Sequence, residues 1–407
     1  MSGVRGMHPC QRLSVRLAAI TLLAACMLLF ASGEAPAAST YVDFDAHDTY
    51  ETLSSANKSG VVVKKTSGGA VVRLAPGRSR GALTLKPRTT ATRFDTLVPS
   101  WNASTPSGTW VRVQLRVRSG GKWTGWFDLG VWAKGTGTVK RHSTDGQRSG
   151  DWRVLTDTLQ SAGPVFAGAY QYRITLHSKK EGRSPQVRAL FTVASDSYRH
   201  GDPSGIPALR AAWGRDLDVP RRSQMVYPDG GEVWCSPTSL SMVMAYWAKR
   251  TGRGALNQSV PTVARGTYDY TYRGWGNWPF NTAYAGAYGL EAKVSRFSQI
   301  EQAERWIDMG IPVIASIAWN NRYSSTYLRG APIPASDGHL LVIRGFTASG
   351  DVIVNDPAAS SDSRVRRVYD RAQFSRAWLR TGSGGVVYLV HPKTWRTPYP
   401  YASRGSW

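Results

Sequence analysis

Cysteine is almost absent from this sequence. Three occur in 407 residues, Cys10, Cys26 and Cys235, too few for a disulfide framework. Acidic residues are scarce as well: 27 Asp and Glu stand against 51 Lys and Arg, a formal charge of +24. That excess is silent on fold but predicts attraction to polyanions, among them anionic cell-wall polymers. Beyond the first forty residues no apolar run is long enough to cross a bilayer, so no transmembrane segment is expected once a leader is removed. Also missing are an HExxH helix, a CxxC pair, a P-loop and an EF-hand loop, so no metal or nucleotide cofactor is implied. The basic residues are shared between both halves of the chain, and no nucleic-acid partner is expected.

The start of the chain reads as an export signal. Arg5, Arg12 and Arg16 precede an apolar stretch from Leu17 to Ala31, and Ala35-Pro36-Ala37 forms an A-x-A cleavage pattern. Residues 1–37 are therefore expected to be removed and the protein to be secreted, with its charge favouring the cell wall. Cys10 and Cys26 leave with the leader. Cys235 then has no partner for an internal disulfide, and is either a buried small hydrophobe or a reactive thiol.

Residues 41–198 carry strand periodicity. From Trp110 to Arg118, valines and Leu115 alternate with polar residues, and Ser119-Gly120-Gly121-Lys122 turns the chain into a second strand over 123–132. Further strands are predicted over 70–74, 82–85, 170–177 and 187–194. Many short alternating strands indicate an all-β, sandwich or jelly-roll-like accessory domain. Its tryptophans, Trp101, Trp110, Trp123, Trp126 and Trp132, chiefly suit a core; a sugar-stacking platform is the alternative.

A Gly/Pro-rich joint, His200 to Pro207, marks the boundary, and the period changes after it. Leu240, Val243, Met244 and Trp247 share one helix face. Ser298 and Glu301 form a capping box ahead of a helix closed by Gly310. Strands are predicted over 311–317 and 386–390, with a helix after Asp370. Helix first and sheet afterwards gives an α+β domain over 206–400, and every candidate catalytic residue lies in it.

Cys235 precedes Pro237 at the start of the first of these helices, where unpaired N–H groups and the dipole favour a thiolate. Such a nucleophile needs a base and the base an orienting partner. His200, His339 and His391 are the candidates. Folding 339–343 against 352–356 about the turn at 348–350 brings His339 within a residue or two of Asp356. Asp337 is the competing carboxylate, although its place better suits the turn. The backbone N–H of Cys235 and the amide of Gln224 are candidate oxyanion donors.

The order of Gln224, then Cys235-Ser236-Pro237-Thr238-Ser239, then Gly338-His339-Leu340-Leu341-Val342-Ile343, then Val354-Asn355-Asp356-Pro357 resembles secreted papain-like cysteine peptidases of the bacteriocin-processing (C-39-like) family, over residues 217–391. The resemblance implies a papain-like fold, a peptide or protein substrate, and hydrolysis through a thioacyl-enzyme. It implies Cys235 as nucleophile, His339 as base, Asp356 as orienting acid and Gln224 as oxyanion amide. Where the family usually has Gly-Cys-Gly-Pro, this chain has Trp234 and Ser236 around the cysteine, and Trp234 is expected to narrow the approach. The β-rich half resembles N-terminal modules of exported actinobacterial hydrolases. Two alternatives stand beside the peptidase: a cell-wall peptide amidase or transpeptidase, and a non-catalytic wall- or carbohydrate-binding protein.

Overall fold

The computed structural model describes residues 41–200 and 206–398. The expected export signal lies outside the described residues, as does most of the Gly/Pro joint. Among the described residues no helix is long and apolar enough to cross a membrane.

The first half is built from strands, with one short helix at Tyr50–Ser54. An eight-stranded antiparallel sheet includes β1 (Thr96–Ser104), and a seven-stranded one is centred on β2 (Thr109–Ser119). A hairpin of β3 (Trp152–Leu155) and β4 (Thr158–Ser161) continues the first sheet, β5 (Ala167–Ser178) pairs with β2 in the second, and β6 (Gln186–Ser195) pairs with β1. In β2 the odd-numbered residues Val111, Val113, Leu115 and Val117 are fully buried, so the alternation places them as expected. Trp101 and Trp132 are also fully buried, whereas Trp110, Trp123 and Trp126 are partly exposed. Arg116 lies over the rings of Trp123 and Trp126, and Arg173 over Trp126. The predicted strand over 123–132 is interrupted: Lys122–Trp123 and Phe127–Trp132 pair with β2 separately.

The second half sets helices against one six-stranded antiparallel sheet. The elements that frame the site are α1 (Cys235–Thr251), α2 (Trp278–Ala287), β7 (Glu291–Arg296), α3 (Ile300–Asp308), β8 (Val313–Asn320), β9 (Ala335–Phe346), β10 (Val352–Asn355), β11 (Arg366–Tyr369), α4 (Arg371–Leu379) and β12 (Val386–His391); a further short helix spans Val260–Thr267. Strand order is β7-β12-β8-β9-β10-β11. Helix α1 is buried from Ser236 to Ala248, beyond the predicted stripe. Two of its buried hydroxyls are paired: Ser239 donates to the Leu340 carbonyl at 2.9 Å and Ser241 to the Thr238 carbonyl at 2.7 Å. The capping box of α3 differs from the predicted pair by one residue. Gln299 is the N-cap, and Gln302 Oε1 accepts from the N–H groups of Ser298 and Gln299 at 2.6 and 3.0 Å.

The halves share one hydrophobic core. Phe280 of α2 inserts between Trp101 and Trp132, with ring centroids 6.2 and 5.4 Å away. β7 is an edge strand, and the side chains of β1 occupy its open edge. Asn102 donates to the Ala292 carbonyl at 2.7 Å and accepts from Ala292 N–H at 3.1 Å, while Ser100 Oγ accepts from Val294 N–H at 3.1 Å. The close approach requires glycine at 286, where a Cβ would stand 2.6 Å from Asn102 Nδ2. Buried Arg141 adds a donor to the Arg265 carbonyl at 2.8 Å.

Candidate active site

Cys235 opens α1 and is half-buried. Burial, the largest influence, raises its pKa, but the hydrogen bond and charge of His339 and the N–H groups of Leu340 and Ser236 outweigh it. The net shift is downward. The two residues that depart from the family pattern do not obstruct the thiol. Trp234 is nearly buried beside Tyr227 and Trp275, with centroids 5.9 and 5.8 Å from theirs, and packs on Val260 and Ala264. Ser236 is buried and its hydroxyl pairs with the Tyr388 hydroxyl at 2.9 Å. Both side chains are taken into the interior, contrary to the narrowing expected of Trp234.

His339 is 3% exposed, and its Nε2 lies 2.8 Å from Asp356 Oδ1. The ring's hydrogen bond to Cys235 therefore falls to Nδ1. Burial alone would depress the imidazole, yet the charge and hydrogen bond of Asp356, aided by Cys235, raise it well above the ordinary range. Trp319 meets the ring edge-on, centroids 5.4 Å apart.

Asp356 is fully buried behind His339. Burial pushes its carboxyl up; His339, the Tyr369 hydroxyl and the Ala358 N–H more than offset this and hold it ionised. Tyr369 donates to Oδ2 at 2.7 Å and Ala358 N–H to Oδ1 at 3.0 Å.

A bulge brings this pair to one face. Pairing runs Phe346 to Val352 and Gly345 to Ile353, then shifts by one so that Ile343 meets Val354 and Val342 meets Asn355. Continued by one step, Asp356 falls opposite Leu341, and His339 lies two residues away on the same face. Without the shift His339 would point to the other face. Arg344, the extra residue, is fixed by contacts from its guanidinium to Asp216 Oδ1 at 2.5 Å and Asn355 Oδ1 at 3.1 Å. Gly345 has no room for a side chain, since a Cβ would lie 2.0 Å from the Arg215 carbonyl.

Gln224 lines the same cleft as Cys235 and His339. Its backbone N–H donates to the Pro357 carbonyl at 2.9 Å, tying its loop to the turn after Asp356. Nε2 donates to the Glu232 carbonyl at 2.7 Å, which fixes the orientation of the amide. Asp337 is exposed at the cleft mouth. Burial drives the His391 pKa down to about 4, and Nδ1 of that ring pairs with the Pro392 carbonyl. His200 and His391 do not line this cleft, whereas His339 does. The cleft measures about 1010 Å³.

Tyr369 and Trp319 were not legible in the sequence: an aromatic on a strand carries no mark distinguishing a partner of the carboxylate or imidazole from core. Nor was the contribution of Leu155, Thr156 and Asp157, which line the cleft from the first half. Two non-glycine residues have positive φ among the described residues, Thr156 at 53° and Arg273 at 56°, and both line it too.

Comparison with known proteins gives two family matches. Residues 35–195 match the Peptidase C39 N-terminal domain and residues 216–386 the Peptidase C39 like family. No curated protein matches the chain. Among solved structures, a Bacillus anthracis protein described as a C39-like peptidase is 16% identical, with a TM-score of 0.31, covering 43% of this chain and 98% of its own. A CBM22–GH10 segment of a Clostridium thermocellum xylanase complexed with xylohexaose is 7% identical, with a TM-score of 0.24 and coverages of 43% and 33%. The catalytic unit of a Streptomyces thermodiastaticus α-1,3-glucanase is 17% identical, with a TM-score of 0.19 and coverages of 46% and 31%. The family matches place a C39 N-terminal domain over residues 35–195 ahead of a C39-like peptidase domain over residues 216–386.

Proposed function

We propose that the protein is a secreted, papain-like cysteine peptidase acting through Cys235, His339 and Asp356. One observation carries this reading. The buried His339 ring bonds Asp356 through Nε2 and Cys235 through its other nitrogen, while the thiol sits at the start of a helix. A thiolate–imidazolium pair follows from the directions of the two shifts.

The thiolate attacks the peptide carbonyl carbon, forming a C–S bond and moving the C=O electron pair onto oxygen. The Cys235 N–H and the remaining N–H of the Gln224 amide are the donors for that oxyanion. As the C–N bond breaks, the imidazolium gives its Nδ1 proton to the departing amine and leaves a thioacyl-enzyme. Water then attacks, loses a proton to Nδ1, and breaks the C–S bond. Asp356 keeps the ring oriented and stabilises its charged form throughout.

Secretion is supported by the leader pattern of residues 1–37. A cell-wall peptide as substrate is the second reading, favoured by the basic outer face where Arg116 and Arg173 cover Trp123 and Trp126. The test is to treat the full chain with a thiol-directed epoxide, map the adduct by mass, and follow peptide turnover. The adduct is expected on Cys235 with loss of activity. Gln224→Ala should lower kcat by about 100- to 1000-fold while Cys235 still labels. Undiminished turnover in Cys235→Ala would defeat the reading.

A further inference from the structure

The hairpin turn between β3 and β4 belongs to the first half of the chain, yet Leu155, Thr156 and Asp157 line the same cleft as the thiol. The turn is held there by the peptidase half. Asp157 Oδ2 accepts from the Trp278 N–H at 2.7 Å, at the first residue of α2, where a carboxylate suits the helix dipole. The facing loop is tied back in return: Asp269 accepts from Ser143 N–H at 3.0 Å, from Thr271 N–H at 3.0 Å and from Asn277 Nδ2 at 2.9 Å. Each segment contains a residue at positive φ, Thr156 in one and Arg273 in the other. A β-branched threonine adopts that conformation against local sterics, and such strain gathers where a surface is shaped for a ligand. Thr156 is fixed through its N–H, which donates to Asp145 Oδ1 at 3.0 Å.

What the turn presents is apolar. Leu155 is 38% exposed, and Tyr272, Val233 and Met225 at 51%, 54% and 43% line the same cleft. Elsewhere a large exposed apolar side chain needs no explanation, but four around one nucleophile form a surface suited to apolar ligand groups. The Tyr272 phenol is raised chiefly by burial and then by the charges of Asp157 and Cys235, so it is within electrostatic reach of both turn and thiol.

We infer that the Leu155–Asp157 turn is a specificity-determining wall of the active-site cleft, through which the N-terminal domain selects peptides with apolar side chains beside the scissile bond. This rests on the cysteine-peptidase reading above. Atoms of the turn take no part in bond making; they contact the substrate side chain.

The test compares labelling rates of Cys235 in the full chain by iodoacetamide and by peptidyl vinyl sulfones carrying Leu, Ser or Lys beside the electrophile. Leu155 is exposed enough that Leu155→Ala and Leu155→Glu should fold normally. Leu155→Ala is expected to slow the Leu probe by about 10-fold relative to the Ser probe, the scale of a lost apolar contact. Leu155→Glu should slow the Leu probe further and speed the Lys probe, each peptidyl rate being taken relative to the iodoacetamide rate of the same variant. Unchanged preference among the three peptidyl probes, with iodoacetamide labelling intact, would overturn the role of the turn alone. Failure of iodoacetamide to label wild-type Cys235 at neutral pH would defeat the peptidase reading and this inference with it.

Discussion

His339 has both ring nitrogens committed, Nε2 to Asp356 and the other to Cys235, in a pocket that excludes solvent. Those bonds exchange a large desolvation cost for a charge pair, so removing one member costs more than one contact. Asp356→Asn should keep the fold but lower kcat by roughly 100-fold, the low end of positioned acid–base chemistry, because an amide orients the ring without stabilising imidazolium. Asp337→Asn, at the exposed mouth of the cleft, should leave kcat within about twofold. Parallel assays of the two variants check this, and the reverse ranking would contradict the assignment. These residues were legible because Cys-x-Pro at a helix start and His and Asp on adjoining strands are local patterns. Trp234 misled because sequence shows a bulky neighbour but not its χ angles, which turn the ring toward Tyr227 and Trp275.

The element that matters most is the β9–β10 ladder, since its bulge sets the face His339 occupies. Hydrophobic patterning alone could not reveal a one-residue shift at Arg344, because it follows Leu340–Ile343, where every side chain is apolar and both faces are buried. Gly345→Ala tests the lock: its Cβ would collide with the Arg215 backbone. The variant should lose about 1–3 kcal/mol in urea unfolding, the range for overpacking, and activity should fall with it. Unchanged stability would show that the bulge relaxes freely. Helix α2 went unread because its mix of Asn, Pro, aromatics and small residues lacks a clear stripe, although Asn277 before Trp278-Pro279 is an N-cap signature. Asn277 Oδ1 indeed accepts from Phe280 N–H at 3.0 Å.

Across the whole molecule, the composition change at residue 200 is plain in sequence, but the extent of contact across it is not. Contacts such as Phe280 with Trp101, or Asn102 with Ala292, join residues nearly two hundred positions apart. Removing 41–198 would expose α2 and the open edge of β7. The segment 206–407 alone should therefore aggregate or melt without a cooperative transition in calorimetry; a cooperative unfolder with normal Cys235 reactivity would contradict this.

The central claim is that Cys235 is held as a thiolate by His339, and the pH dependence of iodoacetamide labelling of the full chain tests it most directly. The thiol's pKa is lowered, so the reactive form should be lost only as pH falls through that lowered value. Peptide turnover should also fall at high pH, as imidazolium is lost through the raised pKa of His339. The account predicts rapid labelling well below about pH 8.5, the ordinary cysteine pKa, and a shift of the midpoint toward that value in His339→Ala. Labelling that rises only through about pH 8.5 in the wild type, and identically in His339→Ala, would contradict it.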